Sequence, residues 1–282
     1  MRKYCGAAFA VALMCGLGGT APAYAAAANA SLVEFELMTW PEVKAALAAG
    51  KTTALIYTGG TEQRGPQNAN GGHNMMARAI VKAIAEKLGN AIAMPVLPFS
   101  PTGVSADLPG SISMPEELLG PVMERMAEDI ITDGFKTVIL MGDSGGGQPK
   151  LYGEVAKKLD DKHRASGVRV FYANEVYTKA NAEFSAILVA EGYPRGTHGG
   201  ILDTSLMYYL DTDNKYVRRD QLPNSLGDPV LERGAKPDPN YKPVKNGVGG
   251  DARRSSPEIG KRFFDLKVAT AVKQIQGFQS AK

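Results

Sequence analysis

Chemistry in this 282-residue chain concentrates in three glycine-bearing segments. The first runs Gly59-Gly60-Thr61-Glu62-Gln63-Arg64-Gly65-Pro66-Gln67 and continues to His73-Asn74. The second is Gly142-Asp143-Ser144-Gly145-Gly146-Gly147-Gln148, and the third is Thr197-His198-Gly199-Gly200-Ile201-Leu202-Asp203-Thr204-Ser205. The chain has only three histidines, and two of them, His73 and His198, fall in these segments. His163 instead sits among Lys157, Lys158, Asp161, Lys162 and Arg164, the composition of a solvated helix face. A histidine is the side chain best matched to moving protons near neutral pH. Ser144 beside Gly145 and Gly146 is a place where backbone N–H groups can point at a developing oxyanion.

The surrounding elements explain how such loops could converge. Thr53 to Tyr57 is a short apolar run stopped by Gly59-Gly60, as in a buried strand of a parallel sheet. Asn74 to Leu88 then spaces Met75, Ala79, Ile80, Ala83, Ile84 and Leu88 as a helix does. Ala91 to Leu97 reads as a strand, and Ser113-Met114-Pro115-Glu116 as a capping box opening a helix that Gly134 closes. Thr137 to Met141 predicts another buried strand, followed by a helix through about Arg164 and a strand over Val168 to Ala173. Trp40-Pro41-Glu42 reads as a helix start, and Ser256-Pro257-Glu258 caps a last helix reaching about Gln276. This βαβα alternation predicts a three-layer α/β/α fold with a mainly parallel central sheet, whose ligands bind beyond the carboxyl ends of the strands. The three loops sit at such ends. Residues 222–256 are rich in Pro, Gly and Asn and read as an irregular surface arm, a candidate oligomer contact. Met207, Tyr208 and Tyr209 have the spacing of core packing, and Arg253-Arg254 reads as a solvated pair or a substrate carboxylate clamp.

The N-terminus carries Arg2 and Lys3, an apolar run from Tyr4 to Leu17, and Ala23-Tyr24-Ala25, a small-x-small cleavage signal. Residues 1–25 therefore read as a secretory signal peptide and 26–282 as one domain in the periplasm or outside the cell. The run is shorter than a membrane-spanning helix needs and ends in Gly18, Gly19 and Pro22. Both cysteines, Cys5 and Cys15, lie in the removed piece, which leaves the mature chain without disulfide or thiolate chemistry. Without Arg2 and Lys3 the net charge is roughly +1, giving no electrostatic footprint for nucleic acid or an anionic membrane. A small-molecule substrate is the expected partner.

With these residues in hand, the chain resembles the creatininase (creatinine amidohydrolase) family. Its members carry a first loop of the form G-x-T-E-Q-H-G-P-H followed by G-T-D, an N-G-H-G-G-N-type turn, and a later H-A-G-x-x-E-T-S segment. All three loops occur here in order, with Phe99, Pro109-Gly110-Ser111-Ile112-Ser113 and Gly134-Phe135 as further landmarks. The resemblance implies a metal-dependent hydrolase that opens a C–N bond, often in a ring, on a three-layer fold assembled as a homo-oligomer, commonly a hexamer. It also places Glu62 at the first metal ligand and His198 at the proton-shuttling histidine.

The departures from that pattern change the expected chemistry. Arg64 stands at a ligand His, Gln67 at the loop's second His, and His73 at the bridging Asp; Ser144, Ile201 and Asp203 occupy a ligand His, an acidic ligand and the Glu of E-T-S. The usual two-metal site cannot be present unchanged. Arg64 can pair with Glu62 or with a substrate carboxylate. Glu62 and His73 offer one oxygen and one nitrogen donor suited to Zn²⁺ or Mn²⁺, with Asp143 or Asp203 as a third; one divalent metal and a metal-free site are both open. His198 is the candidate general acid/base, Asp203 its orienting carboxylate, and Ser144 either an oxyanion stabiliser with Gly145 and Gly146 or a nucleophile. Arg64 and Asn74 are candidate substrate-binding residues. Gly142-Asp143-Ser144-Gly145-Gly146 also resembles the nucleophile motif of chymotrypsin-like proteases, but the βαβα order and the lack of an early His before a catalytic Asp exclude that family. The leading expectation is a hydrolase acting on a small cyclic amide or lactone; the alternatives are a non-catalytic small-molecule-binding protein and an isomerase or lyase that only moves protons.

Overall fold

In the computed structural model, residues 32–231, 235–236 and 238–280 are described. The expected signal peptide lies outside the described residues. Four strands, β1 (Thr53–Thr58), β2 (Ala91–Ala93), β3 (Thr137–Gly142) and β4 (Arg169–Tyr172), form a sheet in the order β2-β1-β3-β4, and every pairing is parallel. Among the described residues seven α-helices accompany them: α1 (Trp40–Ala48), α2 (Gly72–Leu88), α3 (Glu116–Asp133), α4 (Lys150–His163), α5 (Thr178–Ala190), α6 (Ile201–Leu210) and α7 (Pro257–Ser280). Among the described residues no helix is long and apolar enough to cross a membrane.

Side chains alternate across β1, and that alternation divides the interior. Leu55 and Tyr57 pack with Ile80, Ile84, Phe184 and Phe263 from α2, α5 and α7 on one face of the sheet. Ala54 and Ile56 pack with Met123, Ile130, Tyr152 and Val155 from α3 and α4 on the other. Both faces are covered, which is why β1 reads as a continuous apolar run, and the expected α/β/α layering is present. Met207 is buried in the first of these clusters, as its spacing implied.

Two local expectations need correction. The strand predicted over Ala91 to Leu97 ends at Ala93: the Met94 N–H still reaches the Leu55 carbonyl at 3.0 Å, but beyond Pro95 the register slips, and Leu97 rather than Val96 donates to the Tyr57 carbonyl, at 3.2 Å. The box predicted at Ser113 does not cap α3: Pro115 occupies that position, and the Ser113 hydroxyl accepts the Thr102 N–H at 3.1 Å instead. A true capping box opens α1, where Glu42 accepts from the Thr39 N–H at 2.7 Å.

Helices α6 and α7 cross at Gly260, where a Cβ would lie 1.9 Å from the Ser205 carbonyl oxygen. No side chain can move to relieve a clash with backbone. Gly260→Ala is therefore expected to cost about 1–3 kcal/mol or more, read as a lower urea midpoint. An unchanged midpoint would contradict this close approach.

Candidate active site

The three glycine-bearing segments follow β1, follow β3 and lead into α6, and they meet around one cavity of about 450 Å³. Glu62, His73, Ser144, Gly145, Gly146, His198 and Asp203 line it. At its floor the His73 ring lies between two carboxylates: Nε2 is 2.6 Å from Glu62 Oε1 and Nδ1 is 2.8 Å from Asp143 Oδ2. Two acceptors on one imidazole require both nitrogens to carry protons. Burial and the Arg64 charge oppose that proton, but the bonds to Asp143 and Glu62 outweigh them, and the His73 pKa is raised.

Each carboxylate has its own cation. Burial works to raise Glu62, yet the His73 and Thr102 hydrogen bonds and the His73 and Arg64 charges bring it down to about 2. Asp143, also buried, is held well below the usual carboxylate range by the Lys267 ammonium, 3.3 Å from Oδ1, and by His73. Arg64 is fully buried, with NH1 3.6 Å from Glu62 Oε1 and NH2 in ion-pair contact with Asp203 Oδ2.

His198 sits at the cavity edge, its side chain 36% exposed. Nε2 lies 2.5 Å from the Gln63 carbonyl oxygen, which assigns the proton to that nitrogen. Nδ1 is left facing Glu62 Oε1 at 3.5 Å. The expected orienting partner does not touch the ring: Asp203 pairs with Arg64 and accepts the Gly199 N–H at 2.9 Å, so it acts on the backbone beside His198. Gln67 is a fastener whose Nε2 donates to Gly199 O at 2.8 Å and Thr204 Oγ1 at 3.0 Å.

Ser144 lines the cavity without a bonded base; the contact to its hydroxyl is from Gly146 N–H at 3.4 Å. The glycines beside it answer to close approaches. A Cβ on Gly146 would meet Pro101 O at 1.8 Å, and one on Gly145 would meet the Tyr177 hydroxyl at 2.8 Å. Two substrate-binding expectations are corrected. Arg64 has no exposed surface to offer a ligand, and Asn74 braces the first loop by accepting Gly60 N–H at 2.8 Å and donating to Thr61 Oγ1 at 3.1 Å. Arg253 pairs with Asp251, and Arg254 lies over the Tyr193 ring and donates to Gly192 O, so neither serves as a substrate clamp.

Several residues at the site were not singled out from the sequence. Thr102 caps Glu62 Oε2, Tyr177 lines the cavity with its hydroxyl pushed up to about 12 by burial and by nearby carboxylates, and Lys267 reaches in from α7. Lys267 carried a signal: it lies four residues after buried Phe263, on the apolar stripe of α7, where a charge needs a partner. The 222–256 arm is more than surface, because Gly249 both donates to His198 O at 2.8 Å and accepts from Thr197 N–H at 2.9 Å.

As a metal-binding set, Glu62, His73 and Asp143 are close together but aimed at one another. Ligation by His73 would require stripping a proton held between two carboxylates, and ligation by Glu62 would set the ion against the Arg64 guanidinium. Among the described residues no three His, Cys, Asp or Glu side chains are arranged to hold a metal ion. These donors do not fit one.

The creatininase family model, described as creatinine amidohydrolase, matches residues 36–275. A creatinine amidohydrolase of Pseudomonas putida is 24% identical over 192 residues, covering 62% of this chain and 71% of that protein. A creatinine amidohydrolase (creatininase) crystal structure aligns with TM-score 0.68 and 20% identity over 89% of this chain and 99% of its own. A creatininase mutant of Zn-Zn type aligns with TM-score 0.65 and 21% identity over 87% and 98%. With the family model spanning both the fold and all three site loops, this chain belongs to the creatininase family of hydrolases.

Proposed function

We propose that the protein is an exported hydrolase that opens the C–N or C–O bond of a small cyclic amide or lactone. The observation that carries this reading is the convergence of three separate glycine-bearing segments on one compact cavity, two following β1 and β3 and the third, after α5, leading into α6, with His198 at the cavity edge. In the reaction, His198 Nδ1 takes a proton from water as the water attacks the carbonyl carbon, and the Nε2–H bond to Gln63 keeps the ring in the required tautomer. The Glu62 carboxylate, 3.5 Å away, stabilises the imidazolium so formed, which then returns the proton to the departing nitrogen or oxygen. The Tyr177 hydroxyl, held protonated, and the Ser144-Gly145-Gly146 loop stand on the cavity wall where the oxyanion develops. Beneath the floor, Arg64 and Lys267, with His73, hold the carboxylates in place.

Export follows from the leader-like N-terminus, and homo-oligomerisation is supported by large apolar side chains left uncovered, Trp40 foremost at 77% exposed. The test is a panel of lactones and cyclic amides assayed in ¹⁸O-water. Ring opening with one ¹⁸O incorporated, reduced about 10²–10⁴-fold in His198→Ala, is the expected result. Full activity in His198→Ala removes the assignment. Saturable binding without turnover supports the binding-protein alternative, and product without ¹⁸O an isomerase or lyase.

A further inference from the structure

We infer that Arg64 and Lys267 supply, as fixed side chains, the positive charge that a Zn-type relative of the same fold carries as ions, so that this site assembles without a divalent metal. Arg64 is fully buried, and its guanidinium nitrogens make no aligned hydrogen bond; the ion-pair contacts to Glu62 and Asp203 are what compensate its charge. Turning either carboxylate toward an ion would strand the guanidinium in the interior.

Lys267 repeats the arrangement from the opposite side. Its Nζ lies 3.3 Å from Asp143 Oδ1 and 3.1 Å from the Val176 carbonyl oxygen, and 5.1 Å from the centre of the Phe263 ring. Three carboxylates (Glu62, Asp143, Asp203) thus face three cationic groups (Arg64, Lys267 and the His73 ring). The oxygens are occupied as well as neutralised. Glu62 Oε1 meets His73 and Arg64, and its Oε2 accepts from Thr102; Asp143 Oδ2 meets His73, and its Oδ1 accepts from Lys267 and Tyr57. A divalent ion would add two charges to a balanced cluster and find few lone pairs open. Lys267 is on this view a positioning residue: it touches Asp143, which fixes the His73 ring, and it does not reach the cavity.

The experiment reads metal rather than turnover, so a failed substrate panel leaves it decisive. Mature protein is stripped on chelating resin, titrated calorimetrically with Zn²⁺ and with Mn²⁺, and melted with EDTA or with excess Zn²⁺. The expected result is no saturable binding and a Tm indifferent to either addition. An ion held at about 100 times its Kd would instead raise Tm by several degrees. Stoichiometric binding, or a Tm lowered by EDTA, overturns the inference. Arg64→His removes the guanidinium and restores the imidazole of the family pattern, and is expected to bind Zn²⁺ saturably, at least about tenfold tighter than the weakest binding the wild-type titration would detect. A folded Arg64→His protein with no gain overturns the role given to Arg64; if that variant does not fold, the wild-type titration decides alone.

Discussion

Lys267→Met is expected to lower the stability of the folded protein by about 3–5 kcal/mol, the range typical of removing one partner from a buried ion pair. Both side chains are at most 3% exposed, so water cannot replace the ammonium at Asp143. The methionine fills much of the same volume between Phe263 and Tyr177, and the loss is therefore electrostatic rather than a cavity. The double variant Lys267→Met, Asp143→Asn removes the stranded charge and should regain a substantial part of the loss, though the His73 bond to Asp143 is weakened. Urea unfolding of the three variants gives the coupling between the two sites directly. A single-variant loss below about 1 kcal/mol would mean that Asp143 is solvated and the buried pair does not exist.

Stability should also peak in the weakly acidic range. Glu62 has a folded pKa of about 2 against an ordinary 4.5, so its contribution is fully present above 4.5 and is lost as the pH falls toward 2. That difference corresponds to about 3 kcal/mol, and Asp143 is shifted in the same direction. His73 runs the other way: raised above 6.5, its contribution is complete below 6.5 and is lost as the pH climbs through the folded value. The window between about 4.5 and 6.5 satisfies both. Urea midpoints measured across pH should trace this dome, and Glu62→Gln should flatten its acid limb. An acid limb equally steep in Glu62→Gln would place the acid sensitivity elsewhere, with Asp143 first and then Asp160 and Asp211, all also held low, the next groups to test.

Much of the fold was legible because its signals are local. The TALIY and TVILM runs, the helical spacing after Asn74 and the glycine at 134 each depend on neighbours within a few residues, and each marks an element that is present. The errors arose where two local rules competed. Pro95 interrupts an apolar run that otherwise reads as strand, and Pro115 takes a capping position that the Ser113 and Glu116 spacing claimed.

The site was legible in composition and not in connectivity. Residue types alone set two of the three histidines in glycine-bearing segments and both cysteines in the apolar N-terminal run, ahead of the residues that the family model matches. Only the tertiary structure decided how those residues pair: Asp203 holds Arg64 rather than the His198 ring, Asn74 braces a loop, and Lys267, 124 positions from Asp143 along the chain, joins the cluster through α7. The physical reason is that a buried charge must be answered by whichever partner the packing brings within about 4 Å, and that partner is chosen by how helices lie on the sheet, not by distance in sequence.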